Sequence, residues 1–300
     1  FADFVAQERD ISLELRFSRT KAMEIYKNGV RQKRQSDAQG LLKTVLFCPE
    51  DLMLVRAGAA ARRRFLDTAL CQMRPNYARY LEEYNRLHEH KTRILRDSEE
   101  KPSLLSMWED FSLRMAHIGA QIIRYRAYYC RKLLKAAAAV YADIAPHEVL
   151  SGVYKTVSSV TDPFADARTI EKQLIDHVFS HKTAEIAAKS CLSGPHKDDL
   201  ELLLDGRSAA SFGSQGQVRT CTLSLKLAER ELFFDEDGEY PVLLLDDVLS
   251  ELDRRRQDFV LNRISAGQVM ITCCEDGISE KLRAGAVFHI QNGEKSAETH

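Results

Sequence analysis

Asp246 and Asp247 stand side by side at the end of the continuous apolar run Val242 to Leu245. A run without alternation suits a strand buried on both faces, as in a parallel sheet. Ligands of open α/β sheets bind outside the carboxyl ends of such strands. A hard cation such as Mg2+ takes oxygen ligands and keeps several waters, so one carboxylate plus substrate phosphates often holds it. The pair therefore suits Asp246 as the metal ligand and Asp247 as the group that orients or deprotonates an attacking water. The same two residues could instead cap the next helix, because Asp is a good N-cap.

One helical pattern upstream lies Gly213-Ser214-Gln215-Gly216-Gln217, small and polar. Leu223, Leu227, Ala228 and the stretch Glu231 to Phe234 follow at helical spacing. A helix start offers free N–H groups and a partial positive charge, and so binds phosphate. Glycine lets the backbone approach an anion closely. Alone, such a stretch is equally a plain loop and helix cap; placed one helix ahead of an apolar strand with twin aspartates, it points to a triphosphate site.

These residues carry a family resemblance. Ser214-Gln215-Gly216-Gln217 resembles the signature motif of ABC-type ATPases, which usually reads Ser-Gly-Gly-Gln. Leu243 to Asp247 resembles their Walker B strand, and Ser250-Glu251-Leu252-Asp253 their D-loop. The wording is similar to the RecF branch of the SMC-like ATPases. Further RecF-like stretches are Leu46 to Leu52, Arg62 to Asp67 and Gly194 to Leu200.

The resemblance implies an α/β fold: an ABC-type ATPase head, a mixed sheet with flanking helices, and an inserted helical or coiled-coil arm. It implies residues 1–56 as the rest of an N-terminal lobe, 57–146 as the arm and 147–300 as the lobe with signature, Walker B and D-loop. It further implies ATP and Mg2+, sandwiched in a head-to-tail homodimer. Ser214, Gln215, Gly216 and Gln217 would then grip the partner's γ-phosphate, Asp246 hold Mg2+, Asp247 order the water and Asp253 link the two sites. ABC enzymes usually carry Glu where Asp247 stands, and the shorter side chain implies slow hydrolysis. Pro49 to Leu52 corresponds to the region of the Q-loop, although no Gln stands there. Thr272 takes the place of the switch histidine, and the Gly194-Pro195-His196-Lys197-Asp198-Asp199 stretch would brace the signature loop. The functional setting implied is a cytoplasmic DNA repair and replication protein. It would form an ATP-driven clamp on gap or duplex-junction DNA and work with recombination mediator proteins.

Composition bounds the rest. Three hundred residues, 44% hydrophobic and 29% charged, describe an ordinary globular chain. A net charge of −1 gives no overall attraction to nucleic acid, so a DNA surface must come from local clustering. No apolar run is long enough to span a membrane. Seven cysteines without framework spacing are expected as reduced thiols. His177 and His181 share a helical face but lack a third ligand nearby, which favours a plain helix face over a metal site.

The remaining elements can be placed by pattern. Ile11 to Phe17 alternates as a half-buried strand, and a second strand from Ala22 to Tyr26 ends at the hairpin dipeptide Asn28-Gly29. Thr44 to Phe47 is a short strand stopped by Pro49. Ala59 to Met73 is a helix carrying Arg62, Arg63 and Arg64. Trp108, Phe111, Met115, Ile118, Ile122, Tyr125 and Tyr129 step as a heptad seam and predict an antiparallel coiled-coil arm with the preceding helix. Its outward basic run Arg124, Arg126, Arg131, Lys132 and Lys135 could neutralise DNA phosphates, or be a solvated face. Strands are expected over Gly152 to Val160, Leu200 to Leu204, Gln268 to Thr272 and Ala286 to Ile290, with an amphipathic helix over Ala165 to Lys189.

No Gly-x4-Gly-Lys-Ser/Thr match occurs, although family members carry this P-loop near the N-terminus. With Phe1 first, the chain reads as a fragment with poor ATP affinity of its own. The alternative reading is a non-hydrolysing DNA or protein interaction module with a vestigial ATPase fold.

Overall fold

The computed structural model describes residues 2–6, 9–20, 23–33, 37–264, 266–274, 285–291 and 294–295. Strands β1 (Ala2–Ala6), β2 (Arg9–Arg16), β3 (Glu24–Lys27) and β4 (Val30–Arg31) form an antiparallel sheet in that order. The expected hairpin turn is present: Asn28 and Gly29 both take positive φ, 49° and 76°, and the Asn28 side chain accepts from the Ser12 amide at 2.8 Å. That pair of angles matches the right-handed twist of the flanking strands. Ala22, where the second strand is expected to begin, lies outside the described residues.

Strand β5 (Thr44–Phe47) leads through a 3-10 turn at Pro49–Met53 to α1 (Ala59–Met73), α2 (Pro75–Asp97) and, after a second turn at Pro102–Met107, α3 (Trp108–Ile144). Strand β6 (Leu150–Lys155), helices α4 (Ala167–Ser180) and α5 (Lys182–Ala188), and strands β7 (Asp199–Leu204) and β8 (Arg207–Ser208) follow. Then come α6 (Ala209–Phe212), α7 (Gln215–Asp237), β9 (Val242–Asp246), α8 (Arg254–Arg263), β10 (Val269–Thr272) and a short pair, β11 (Ile290–Gln291) with β12 (Glu294–Lys295). The parallel sheet has the order β10-β9-β5, and an antiparallel sheet has the order β6-β7-β8. In the β9–β10 register Thr272 stands opposite Asp246.

Three expectations change. The single helix over Ala165 to Lys189 is two, because Asp166 caps the first through the amides of Arg168 and Thr169 and His181 breaks the run at φ −103°, ψ 9°. Strand β6 ends at Lys155, after which Val157 and Val160 turn into a small core against Ile170 and Leu174. Residues 285–289 form no strand; among the described residues the pairing there is confined to β11 and β12.

Helix α3 has 37 residues and is about 55 Å long at 1.5 Å per residue. Its seam is buried as expected at Trp108, Met115, Ile118, Ile122 and Tyr129. The helix also packs against α7, α4 and β6 as well as α2. Small residues on its other faces allow this. A Cβ on Gly119 would meet the Pro195 ring at 3.0 Å and Leu174 at 3.4 Å. One hydrophobic cluster runs from Val45 through α1, α2, α3 and α7 to Ile264.

Arg126 corrects a sequence expectation. It is 3% exposed and does not face outward. Its guanidinium donates to both carboxylate oxygens of Asp67 (2.9 and 3.0 Å), to the Tyr77 hydroxyl (3.0 Å), to the Pro195 carbonyl (2.7 Å) and to Asp198 (3.0 Å). Asp198 is fully buried and also accepts from the Tyr154 hydroxyl. Burial pushes the Asp198 carboxyl up to about 6 despite Arg126. Around this hub, Arg62 grips Asp199 through two bonds (2.7 and 2.9 Å) and Arg63 donates to the Asp198 carbonyl at 2.6 Å. Gly194 enters the turn at φ 126°, where a Cβ would collide with the Tyr84 hydroxyl. The hub thus binds α1, α2, α3, β6 and the Gly194–Asp199 turn into one piece.

Removing one partner of a buried ion pair leaves an uncompensated charge. Arg126→Met is therefore expected to lower unfolding free energy by about 3–5 kcal/mol in urea denaturation. A loss below about 1 kcal/mol would show that the hub is dispensable.

Candidate nucleotide-binding site

Helix α7 starts where its sequence says it should. Ser214 is the N-cap: its Oγ accepts from the Gln217 amide at 3.2 Å, and the Gln217 side chain accepts in return from the Ser214 amide at 2.7 Å. This reciprocal box satisfies two of the orphan groups at the helix start. The Gln217 side-chain amide also donates to Glu148 at 2.9 Å, tying the box to the chain beyond α3. Gly213 leads in at a point where a Cβ would meet the Ala209 carbonyl at 2.5 Å, so the close approach demands glycine. Ser214 and Gln215 are exposed and Gly216 and Gln217 half-buried, leaving the polar turn open to an anion.

At the end of β9, Asp246 is exposed and Asp247 takes φ 50°, a left-handed conformation rare for a non-glycine residue and most tolerated by Asp and Asn. Thr272, on β10, organises the pair. Its hydroxyl donates to Asp246 Oδ1 at 2.6 Å and accepts from the Asp247 amide at 3.0 Å, while its carbonyl accepts from the same amide at 3.1 Å. One oxygen of Asp246 is thereby fixed and the other left available. Asp247 Oδ1 is buried with no hydrogen-bond partner among the described residues. An orphaned carboxylate oxygen beside a pinned, exposed carboxylate is a hard-oxygen donor set, and it fits Mg2+ held mainly by phosphates and water. No group of three His, Cys, Asp or Glu able to hold a metal by itself occurs among the described residues. His177 and His181 stack on each other at 4.1 Å, and His177 Nδ1 bonds the Ser193 hydroxyl.

Two arginines that sequence reading passed over join these halves. Arg219, on α7, reaches the Glu251 carbonyl at 2.5 Å and its carboxylate at 3.0 Å. Arg256, on α8, reaches back to the Gly216 carbonyl at 3.0 Å and the Thr220 hydroxyl at 2.9 Å, and pairs with Asp253. Asp253 itself caps α8 through the Arg256 amide at 3.0 Å. Burial alone would raise its carboxyl, but the Arg256 amide bond and guanidinium win and hold it below its usual value. The overlooked signal is local: Arg254, Arg255 and Arg256 fill the first turn of a helix, where positive charge opposes the helix dipole and needs a reason.

The basic surface is smaller than expected. Arg131, Lys132 and Lys135 are exposed, and the Arg131 guanidinium lies over the rings of Tyr128 and Phe164 at 4.9 and 4.8 Å. Arg124 is half-buried and its Nε is hidden without a partner among the described residues. Arg126 belongs to the hub. His196, expected to brace, donates from Nε2 to the Cys191 carbonyl (3.1 Å) and accepts at Nδ1 from the Tyr84 hydroxyl (2.7 Å); burial pulls its ring down to about 3, so it stays neutral.

No protein-family profile matches the chain. It is 34% identical over 296 residues to the DNA replication and repair protein RecF of Clostridium tetani, covering 97% of this chain and 79% of that one. It is 37% identical over 297 residues to RecF of Bacillus cereus, covering 96% and 78%. Among solved structures it superimposes on the recombination mediator protein RecF-ATP of the RecFOR pathway with TM-score 0.86 and 30% identity, over 96% of this chain and 76% of the other. It likewise matches RecF-ATPrS with TM-score 0.87 and 29% identity, over 97% and 78%. Fold and site together define an ABC-type ATPase head. Within that class, the chain belongs to the RecF family.

The underside of α7 carries a titrating group. Lys226 donates to the Leu46 carbonyl at 2.7 Å and pairs with Asp51 at 3.1 Å, fixing the helix to the Pro49–Met53 turn. One turn on, Glu229 is 4% exposed, and burial pushes its carboxyl from 4.5 to about 7, with Lys226 lowering and Asp51 raising it. A carboxyl raised in the folded state holds its proton there after the unfolded chain has lost its own. Stability from this group is therefore complete below pH 4.5 and is lost as pH rises through 7. Glu229→Gln should flatten the fall in melting temperature across that window and leave the variant more stable above it by about 2–3 kcal/mol. Parallel melting curves for the two proteins from pH 4 to 8 would contradict this.

Proposed function

We propose that this chain is the ATP-binding, DNA-binding switch of a replication and recombinational repair system, acting as one half of an ATP-closed dimer on gapped or junction DNA. The observation that carries the reading is the shared anchoring of the Ser214 helix start and the D-loop, beside the Asp246–Asp247–Thr272 strand ends. Family membership supports it, as do relatives named for DNA replication and repair and a neighbour solved with ATP.

In this reading the two halves of each site come from different copies. The exposed first turn of α7, with the Gln215 and Gly216 amides and the Ser214 hydroxyl proton, faces the γ-phosphate held by a partner copy. Asp246, with one oxygen fixed by Thr272, offers the other to the metal. Mg2+, when bound there, would neutralise phosphate charge. Asp247 holds the attacking water through its unpartnered oxygen. Its side chain is one methylene shorter than glutamate and its backbone is fixed in the left-handed region. That geometry favours slow turnover, which suits a switch. Product charge repulsion then separates the halves. Recombination mediator proteins would engage the closed form.

DNA is approached by Arg131 and Lys132, with Lys135 beside them; Arg126, being buried, takes no part. Among the described residues no helix is long and apolar enough to cross a membrane.

Two measurements test this. In full-length protein carrying a P-loop, Asp247→Asn should accumulate an ATP-bound dimer by light scattering; a variant that stays monomeric in ATP would defeat the clamp reading. Reversing Arg131 and Lys132 to Glu should weaken duplex binding and reduce the slope of log K against log salt by about 2. An unchanged slope in anisotropy titrations would move the DNA surface elsewhere.

A further inference from the structure

Arg256 has a role that the phosphate chemistry alone does not require. It sits in the first turn of α8, three residues after the capping Asp253, where the helix dipole opposes a cation. Its neighbour Arg255 meets a plain structural need by donating to the Ile144 carbonyl at the end of α3, at 2.8 Å. Arg256 instead divides its guanidinium between two elements. One nitrogen pairs with the D-loop carboxylate of Asp253, and the other two donate to Thr220 and to the carbonyl of Gly216. The Thr220 hydroxyl in turn donates to that same Gly216 carbonyl at 2.8 Å.

That carbonyl belongs to the peptide whose amide, Gln217 N, donates to the Ser214 cap, in the turn whose Gln215 and Gly216 amides face phosphate. A cation on its oxygen polarises the peptide and adds positive potential at the helix start. Arg219 spans the same gap in the opposite direction. The D-loop and the phosphate-facing turn are therefore fastened twice, by charged bonds pointing both ways, and cannot shift independently.

We propose that Arg256 is a positioning residue that makes the D-loop and the signature turn one mechanical unit, so that phosphate capture at one composite site sets the D-loop at the other. This rests on the dimer reading above. It adds a specific intramolecular connector and assigns it a consequence, cooperativity between the two ATPs.

The test uses full-length, P-loop-bearing protein with Asp247→Asn as reference. Arg256→Ala should keep the melting temperature and the monomer's affinity for a fluorescent ATP analogue. It should weaken ATP-dependent dimerisation about tenfold, the loss of one charged hydrogen-bond set. It should also bring the Hill coefficient for ATP hydrolysis down to 1. Arg256→Lys, which keeps the charge but loses the fork, should recover part of both. Thr220→Val and Asp253→Asn, which each remove one acceptor, should lower the Hill coefficient even if the alanine variant fails to fold. If all of these variants dimerise and cooperate like the unmodified protein while Asp247→Asn accumulates a dimer, the connector is refuted and the clamp stands. If Asp247→Asn is itself monomeric in ATP, the clamp reading falls instead.

Discussion

A single buried guanidinium holds the molecule together. Arg126 sits between Asp67 and Asp198, with the Tyr77 hydroxyl and the Pro195 carbonyl taking its remaining bonds and Tyr154 donating to Asp198. Such a cluster is stable only when nearly every donor and acceptor is matched, because each unmatched group in a low-dielectric interior costs about 1–3 kcal/mol. The matching partners come from four other elements: α1, α2, β6 and the Gly194–Asp199 turn. Their convergence fixes how α3 lies against the β6-β7-β8 sheet, and through that sheet how the chain enters α6 and α7. Two motifs with no evident chemistry, Arg62 to Asp67 and Gly194 to Leu200, are explained by this one arrangement.

The site is built from two kinds of precision. At the start of α7, geometry comes from short-range capping: Ser214 and Gln217 bond each other and leave the amides between them open. At the end of β9, geometry comes from sheet register. The parallel pairing of β9 with β10 puts Thr272 opposite Asp246, and one hydroxyl then fixes a carboxylate and a backbone amide together. The left-handed backbone at Asp247 is the strained point of the molecule's chemistry. Residues held this way persist only where the surroundings over-determine them, and here the bifurcated hold from Thr272 does so.

Much of this was legible in the sequence, for identifiable reasons. β5, α1, α7 and β9 are carried by strong local patterns with sharp stops: Pro49, the Ser214–Gln217 box, the Asp246–Asp247 pair. Asp246, Asp247 and Asp253 follow from motif position. Arg126 was not legible, because its burial is dictated by acids 59 and 72 residues away and its own neighbours form a basic run. Helix α3 keeps its heptad seam against α2, and Gly119, Ala120 and Ala127 on its other faces let further elements pack there, a feature that the heptad spacing alone does not carry. Arg256 was readable in principle as a local rule broken at a helix start.

The continuous packing of α3 has a mechanical implication. A helix of about 55 Å, gripped by α7 along part of its length and by α2 and α4 elsewhere, behaves as a stiff rod in a molecule without an internal hinge at that point. A tilt of about 5° at the nucleotide-facing side would carry its far end through about 5 Å. Small rearrangements around a phosphate would in this way be read as ångström-scale displacements on the opposite side of the head, with no part of the rod needing to bend.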